Sequence, residues 1–251
     1  MIWREVAGNW VLVPQHPVAI IHFLGGAFVA TAPQATYRRF LESLAREGYL
    51  IIASPFLNTL DHEAIAASVL RGFERAHRQL EINLRLSSAL PIYGIGHSMG
   101  CKLHLLIGST FKVERAGHIL MAFNNYAADR AIPFVDLLDK TIPVEFRPTP
   151  AETLQIIQQY YQVRRNLLVQ FANDSIDQTR QLATVLGERF PGMVAVQRLA
   201  GNHLTPLGTD VRWQSGDAFS PLDALGQWVR QTVYRDLASL EGTILQWLNP
   251  C

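Results

Sequence analysis

The sequence predicts an α/β protein, a mostly parallel central sheet with helices on both faces, in a single domain over residues 1–251. Three observations predict it. Short runs that are apolar throughout, such as VAIIHFL (18–24), YLIIASP (49–55) and HILMAF (118–123), alternate with longer amphipathic runs. Strands without polar alternation are buried on both faces, which is the pattern of a parallel sheet between helical layers. The 251 residues, 49% of them hydrophobic, suffice for one sizeable core without a second domain.

The elements follow in order. WVLV (10–13) and residues 18–24 read as strands. QATYRRFLESLAREG (34–48) reads as one helix, with Phe40, Leu41 and Leu44 on a common face and Gly48 as its stop. After the strand at 49–55 comes a helix over 61–82, with Asp61 placed to cap it. LPIYGIG (90–96) reads as a strand, MGCKLHLLIGST (99–110) as a helix, and 118–123 as the next strand. The rhythm then breaks at 126–163, where prolines punctuate turns around one helix, AETLQIIQQYYQV. This segment is expected to form a small cap over the carboxyl edge of the sheet, after the sixth strand. The alternation resumes with a strand at 165–172, a helix at 176–187, a strand at 193–199, a polar loop and a last helix over 221–248.

Composition excludes several classes. Lys plus Arg number 22 against 21 Asp plus Glu, so no basic surplus points to nucleic acid. Cys101 and Cys251 are too far apart for a disulfide framework or a metal spacing, so a reducing compartment is the default. The chemistry read from the motifs below needs neither metal nor organic cofactor. No apolar run is long enough to span a bilayer, and the N-terminus lacks a signal-peptide pattern. The expectation is a protein of a reducing, cytoplasmic compartment without stable membrane insertion, or of a plastid if a transit peptide has been removed.

The chemistry concentrates in GHSMG (96–100), a Gly-x-Ser-x-Gly stretch between a predicted strand and a predicted helix. A serine on such a turn projects its hydroxyl above the sheet, and Gly96 and Gly100 give room where the chain approaches itself. The helix beginning at Met99 would aim free N–H groups at an oxygen that becomes charged. A serine nucleophile needs a base and an orienting acid, in the chain order Ser, acid, His. Asp174 stands just past the strand at 165–172, and His203 follows Gly201 on a loop after the next strand. Asp177 is the alternative acid, and capping of the following helix is the alternative role for Asp174. Of the other histidines, His62 could line a pocket, His97 is expected to point away from the serine, and His16, His22, His77, His104 and His118 are not candidates for the base. FLGGAF (23–28) leaves a strand at the same edge, and its small residues would let backbone N–H groups approach a substrate oxygen.

Together these pieces resemble the α/β-hydrolase superfamily, over about residues 10 to 230. IHFLGGAFVAT is similar to the His-Gly-Gly-Gly-Phe stretch of hormone-sensitive-lipase-like esterases. The resemblance puts Gly25, Gly26 and Ala27 on the three glycines, and implies an oxyanion hole built from the backbone N–H groups of Gly26, Ala27 and Met99. It implies Ser98, Asp174 and His203 as nucleophile, acid and base. Phe23 and Leu24 intervene between His22 and the glycines, and the short N-terminus implies that one or two early strands are missing. More narrowly, FLGGAFVATAPQATY, NTLDHEAIA and GHSMGCKLH resemble an uncharacterised hydrolase-like family of cyanobacteria and plastids. The implied activity is hydrolysis of a small-molecule ester, with thioester and amide as variants. The cap residues Phe134, Val135, Leu137, Leu138 and Phe146 imply either an apolar acyl or alcohol group or a cap packed onto the body. The alternative is a catalytically inactive binding or scaffold protein on the same fold. Trp228 and Trp247 on the last helix read as core.

Overall fold

The computed structural model describes residues 1–27, 29–84, 86–87, 89–126, 145–208 and 221–249, with backbone alone for 221–233. The chain runs β1 (Arg4–Val6), β2 (Asn9–Leu12), β3 (Ala19–Leu24), α1 (Pro33–Thr36), α2 (Arg38–Arg46), β4 (Tyr49–Ala53) and α3 (His62–Leu84). It continues through β5 (Ile92–His97), α4 (Met99–Thr110), β6 (Gly117–Met121), α5 (Pro150–Tyr160), β7 (Asn166–Phe171), α6 (Thr179–Arg189) and β8 (Val194–Leu199). A 3₁₀ turn (Thr205–Leu207) and α7 (Pro221–Leu248) complete it. The eight strands form one sheet in the order β1-β2-β4-β3-β5-β6-β7-β8. β1, β2 and β4 pair antiparallel; every pairing from β4 through β3 to β8 is parallel. The short N-terminus therefore supplies two strands, against the expectation that early strands are missing.

Strand alternation divides the core. Tyr49, Ile51 and Ala53 of β4 face a layer containing Phe40, Leu41 and Leu44 of α2 and Leu237, Leu240 and Ile244 of α7. Leu50 and Ile52 face the other way, toward Phe73, Ala76 and Leu80 of α3. Full burial of the leucine, isoleucine and phenylalanine side chains among them contributes about 1.5–3 kcal/mol each.

Helices α4, α5 and α6 cover the rest of that second face. Ile157 and Tyr161 pack with Cys101 and Leu105 of α4 and Leu182 and Leu186 of α6. The helix expected in the cap is thus part of the body of the domain. Its start is set by a capping box, in which Glu152 N–H donates to Thr149 Oγ1 at 3.3 Å and Thr149 N–H donates to Glu152 Oε2 at 2.9 Å. Of the apolar residues assigned to the cap, Phe134, Val135, Leu137 and Leu138 lie outside the described residues.

Strand order reverses at β3, which has β4 on one side and β5 on the other. Open sheets of this kind bind ligands at the carboxyl edge near such a switch point. The loops after β3, β5, β6, β7 and β8 all leave this edge. Among the described residues no helix is long and apolar enough to cross a membrane.

Candidate active site

Ser98 joins β5 to α4 with φ 54° and ψ −118°, a strained conformation for a residue with a side chain. The strain is held by crowding that only glycine tolerates. A Cβ on Gly96 would lie 2.6 Å from the Cys101 nitrogen, and one on Gly100 would run into the Leu24 carbonyl. Ser98 N–H donates to Met121 O on β6 at 2.9 Å, and the hydroxyl makes no capping bond to α4. The side chain is therefore free to turn toward the loops.

There it meets the two residues expected of it. Ser98 Oγ lies 3.0 Å from His203 Nε2, and His203 Nδ1 lies 2.7 Å from Asp174 Oδ2. Proton direction follows from the groups: a carboxylate only accepts, so Nδ1–H donates to Asp174 and Nε2 is left to accept from the serine hydroxyl. The Asp174 side chain is fully sheltered, and that of His203 is 20% exposed. Asp174 Oδ1 accepts from Ile176 N–H at 3.0 Å, so one carboxylate both braces its own turn and holds the imidazole. It does not cap α6, which begins at Thr179 with Gln178 at the N-cap. Asp177 is engaged elsewhere, accepting from Thr179 N–H, Thr179 Oγ1 and Gln170 Nε2 at 2.8–3.1 Å. Burial raises its pKa.

The loop after β3 departs from expectation in one respect. Gly26 N–H donates to the Tyr37 hydroxyl at 2.8 Å, so this group is already paired. Among the described residues no hydrogen bond is made by Ala27 N–H, nor by Met99 N–H at the first turn of α4. His22 is buried on β3 with Nε2 3.1 Å from Ser54 Oγ, in the core and away from this loop.

Three further residues at the site carry no simple sequence pattern. Asn124, three residues past β6, donates from Nδ2 to Ser98 Oγ at 3.1 Å. Ala122, with φ 53°, turns the chain there. Tyr37 Oη lies 2.7 Å from His97 Nδ1, and His97 Nε2 lies 2.8 Å from the His203 carbonyl oxygen. His97 points away from the serine hydroxyl as expected, yet it holds the backbone of His203. Loss of hydration, then the neighbouring His203, brings the His97 pKa down to about 3, so the ring is neutral. The signal for Asn124 was its place just beyond a carboxyl-edge strand end; for Tyr37 there was none.

Above Ser98 opens a cavity of about 260 Å³. Ala27, Met99, Asn124, Phe146, His203 and Leu204 line it, with His62 and Lys102 at its wall. Among the described residues no group of three or more His, Cys, Asp or Glu could hold a metal ion.

Several solved structures share this architecture. A Thermus thermophilus protein, TT1662, is 18% identical with a TM-score of 0.52, over 93% of this chain and 99% of its own. The fluorophosphonate-binding serine hydrolase F of Staphylococcus aureus is 13% identical with a TM-score of 0.56, over 90% and 91%. Carboxyl esterase 2 of the fungus Tuber melanosporum is 16% identical with a TM-score of 0.55, over 90% and 82%. At these identities the likeness shows the fold, which is that of the α/β-hydrolases. No curated protein sequence matches the chain at a significant level. A family profile does match, over residues 2–250: the chain belongs to the family described as "Protein of unknown function (DUF1350)".

Proposed function

We propose that this protein is a serine hydrolase that cleaves a small carboxylic ester through Ser98, His203 and Asp174. The observation that carries the reading is the unbroken path from Ser98 Oγ to His203 Nε2 and from His203 Nδ1 to Asp174 Oδ2, beneath an open cavity. A side chain filling that cavity would have favoured a binding protein instead.

In the proposed reaction Ser98 Oγ attacks the ester carbonyl while His203 takes its proton. Asp174 holds the imidazole in the tautomer that accepts at Nε2 and stabilises the cation that forms. Negative charge gathers on the carbonyl oxygen. The N–H groups of Met99 and Ala27 are the donors available for it, each typically worth about 3 kcal/mol in such a role. His203 then gives its proton to the leaving alcohol, and water, activated by the same base, releases the acid and restores Ser98.

The test is intact-protein mass spectrometry after treatment with a fluorophosphonate, on the wild type and on Ser98→Ala, beside turnover of short-chain nitrophenyl esters. One adduct that requires Ser98, with turnover, is the expected result. Folded wild-type protein that forms no adduct would overturn the mechanism and leave a binding role.

A further inference from the structure

One helical turn beyond Ser98, α4 carries a buried lysine. The helix is buried along all but its last residue, and Lys102 is 2% exposed. Its ammonium donates to the Pro148 carbonyl at 3.1 Å and lies 5.7 Å from the Phe146 ring. Among the described residues no carboxylate pairs with it. Glu152, whose charge it feels, is exposed and already held by Thr149. An ammonium has three donors, and one is used here. Buried lysines without an opposite charge beside them are rare because loss of hydration disfavours their charge; burial brings this one down to about 7.

Lys102 faces the Ser98 cavity and, among its described lining residues, is alone in being Lys, Arg, Asp or Glu. His62 lines the same cavity. It is 4% exposed, its ring lies 4.3 Å from Phe146, and among the described residues neither of its nitrogens has a partner. Burial, then the Lys102 charge, brings His62 down to about 3, so it is a neutral ring with one free N–H near an ammonium. A tie to Pro148 explains one donor of Lys102. It does not explain two bare nitrogens on His62 in the same wall. In folded proteins most polar groups this buried are paired, and a carboxylate accepts from both Lys102 and His62.

We propose that Lys102 and His62 form a carboxylate subsite, and that the substrate is an ester bearing a free carboxylate a short chain away from the carbonyl that Ser98 attacks. This rests on the hydrolase reading above. Four residues along a helix are about 6 Å, and side chains lean toward the N-terminus, so about two to four carbons bridge the groups. With a half-ester of a dicarboxylic acid, Ser98 Oγ forms the acyl bond as the alcohol leaves with the proton carried by His203. Water then breaks that bond and the diacid departs.

The test compares kcat/KM for monoethyl glutarate with ethyl pentanoate, which has the same length without the charge. A second pair, 3-(butanoyloxy)propanoate and propyl butanoate, places the carboxylate on the alcohol side. Wild type should prefer the charged member of one pair by about tenfold or more, as a charge-assisted hydrogen bond allows. Lys102→Met should bring that ratio close to one. No preference in either pair overturns the subsite, and so does a preference that survives Lys102→Met. Calorimetric titration of glutarate into wild type needs neither turnover nor a variant. Binding of glutarate without any esterase activity or fluorophosphonate adduct would keep the subsite and sink the hydrolase. Turnover of neutral esters without glutarate binding or charge preference would do the reverse.

Discussion

His97 Nε2 donates to the His203 carbonyl at 2.8 Å, so the residue before the candidate nucleophile fixes the backbone of the candidate base. Because the ring is neutral and a carbonyl can only accept, Nδ1 must accept from the Tyr37 hydroxyl, which in turn accepts from Gly26 N–H. One buried path thus joins the loop after β3, the nucleophile strand and the loop after β8. Tyr37→Phe leaves Gly26 N–H and His97 Nδ1 unpaired. It should cost about 1–3 kcal/mol of stability, since buried polar groups lose their partners. Ester turnover should fall about tenfold as His203 loosens, the equivalent of about 1.4 kcal/mol. A melting curve identical to wild type would refute the path.

The two nearby carboxylates should separate cleanly. Asp174→Asn removes the group that selects the His203 tautomer, and kcat should fall by about 10³–10⁴. Asp177→Asn breaks only the bonds to Thr179 and Gln170, and kcat should stay within about threefold while the melting temperature drops, as expected of a lost local brace. Equal kcat losses in the two variants would remove Asp174 from its assigned role.

Asn124 donates to Ser98 Oγ, the oxygen from which His203 takes a proton in the proposed reaction. A donor there stabilises the developing alkoxide, so Asn124→Ala should slow both ester turnover and fluorophosphonate labelling by about tenfold, the worth of one hydrogen bond. Labelling at the wild-type rate would show that Asn124 only lines the cavity.

Acid should unfold the protein early. His22, His62, His97, His104 and His118 are buried, and in each the loss of hydration is the largest cause of a lowered pKa, down to about 3 for His62, His97 and His104. In the unfolded chain these rings titrate near the usual histidine value of about 6.5. Below that pH the unfolded state binds protons that the folded state refuses. Stability is therefore full above about 6.5 and is lost as pH falls toward 3. The slope is about 1.4 kcal/mol per pH unit for each ring, so about 7 for all five. Urea midpoints measured from pH 8 down to pH 5 should drop steeply below 6.5; a flat profile would mean that these rings are charged in the fold.

Local pattern made some elements readable to the residue. Helices 99–110 and 221–248 were expected with the bounds observed, because each begins and ends on local signals. β1 escaped notice, being three largely exposed residues on the sheet edge. The run 34–48 reads as one helix by periodicity, yet breaks at Tyr37, where φ is −114° and ψ 18°. The Tyr37 hydroxyl is committed to Gly26 and His97, the latter 60 residues away, and no helical period encodes that demand.

By itself the sequence determined the alternation of strands and helices from β2 onward, and with it the delivery of Ser98, Asp174 and His203 to one edge of a parallel sheet. That follows from short-range patterns, since a parallel sheet places every strand's carboxyl end on the same side. Only the tertiary structure decided which aspartate meets His203, that Gly26 N–H is already paired, that α5 belongs to the body, and that Lys102 opens onto the cavity. Each of these depends on contacts between segments far apart in the chain, where a difference of a few ångströms decides whether a hydrogen bond forms.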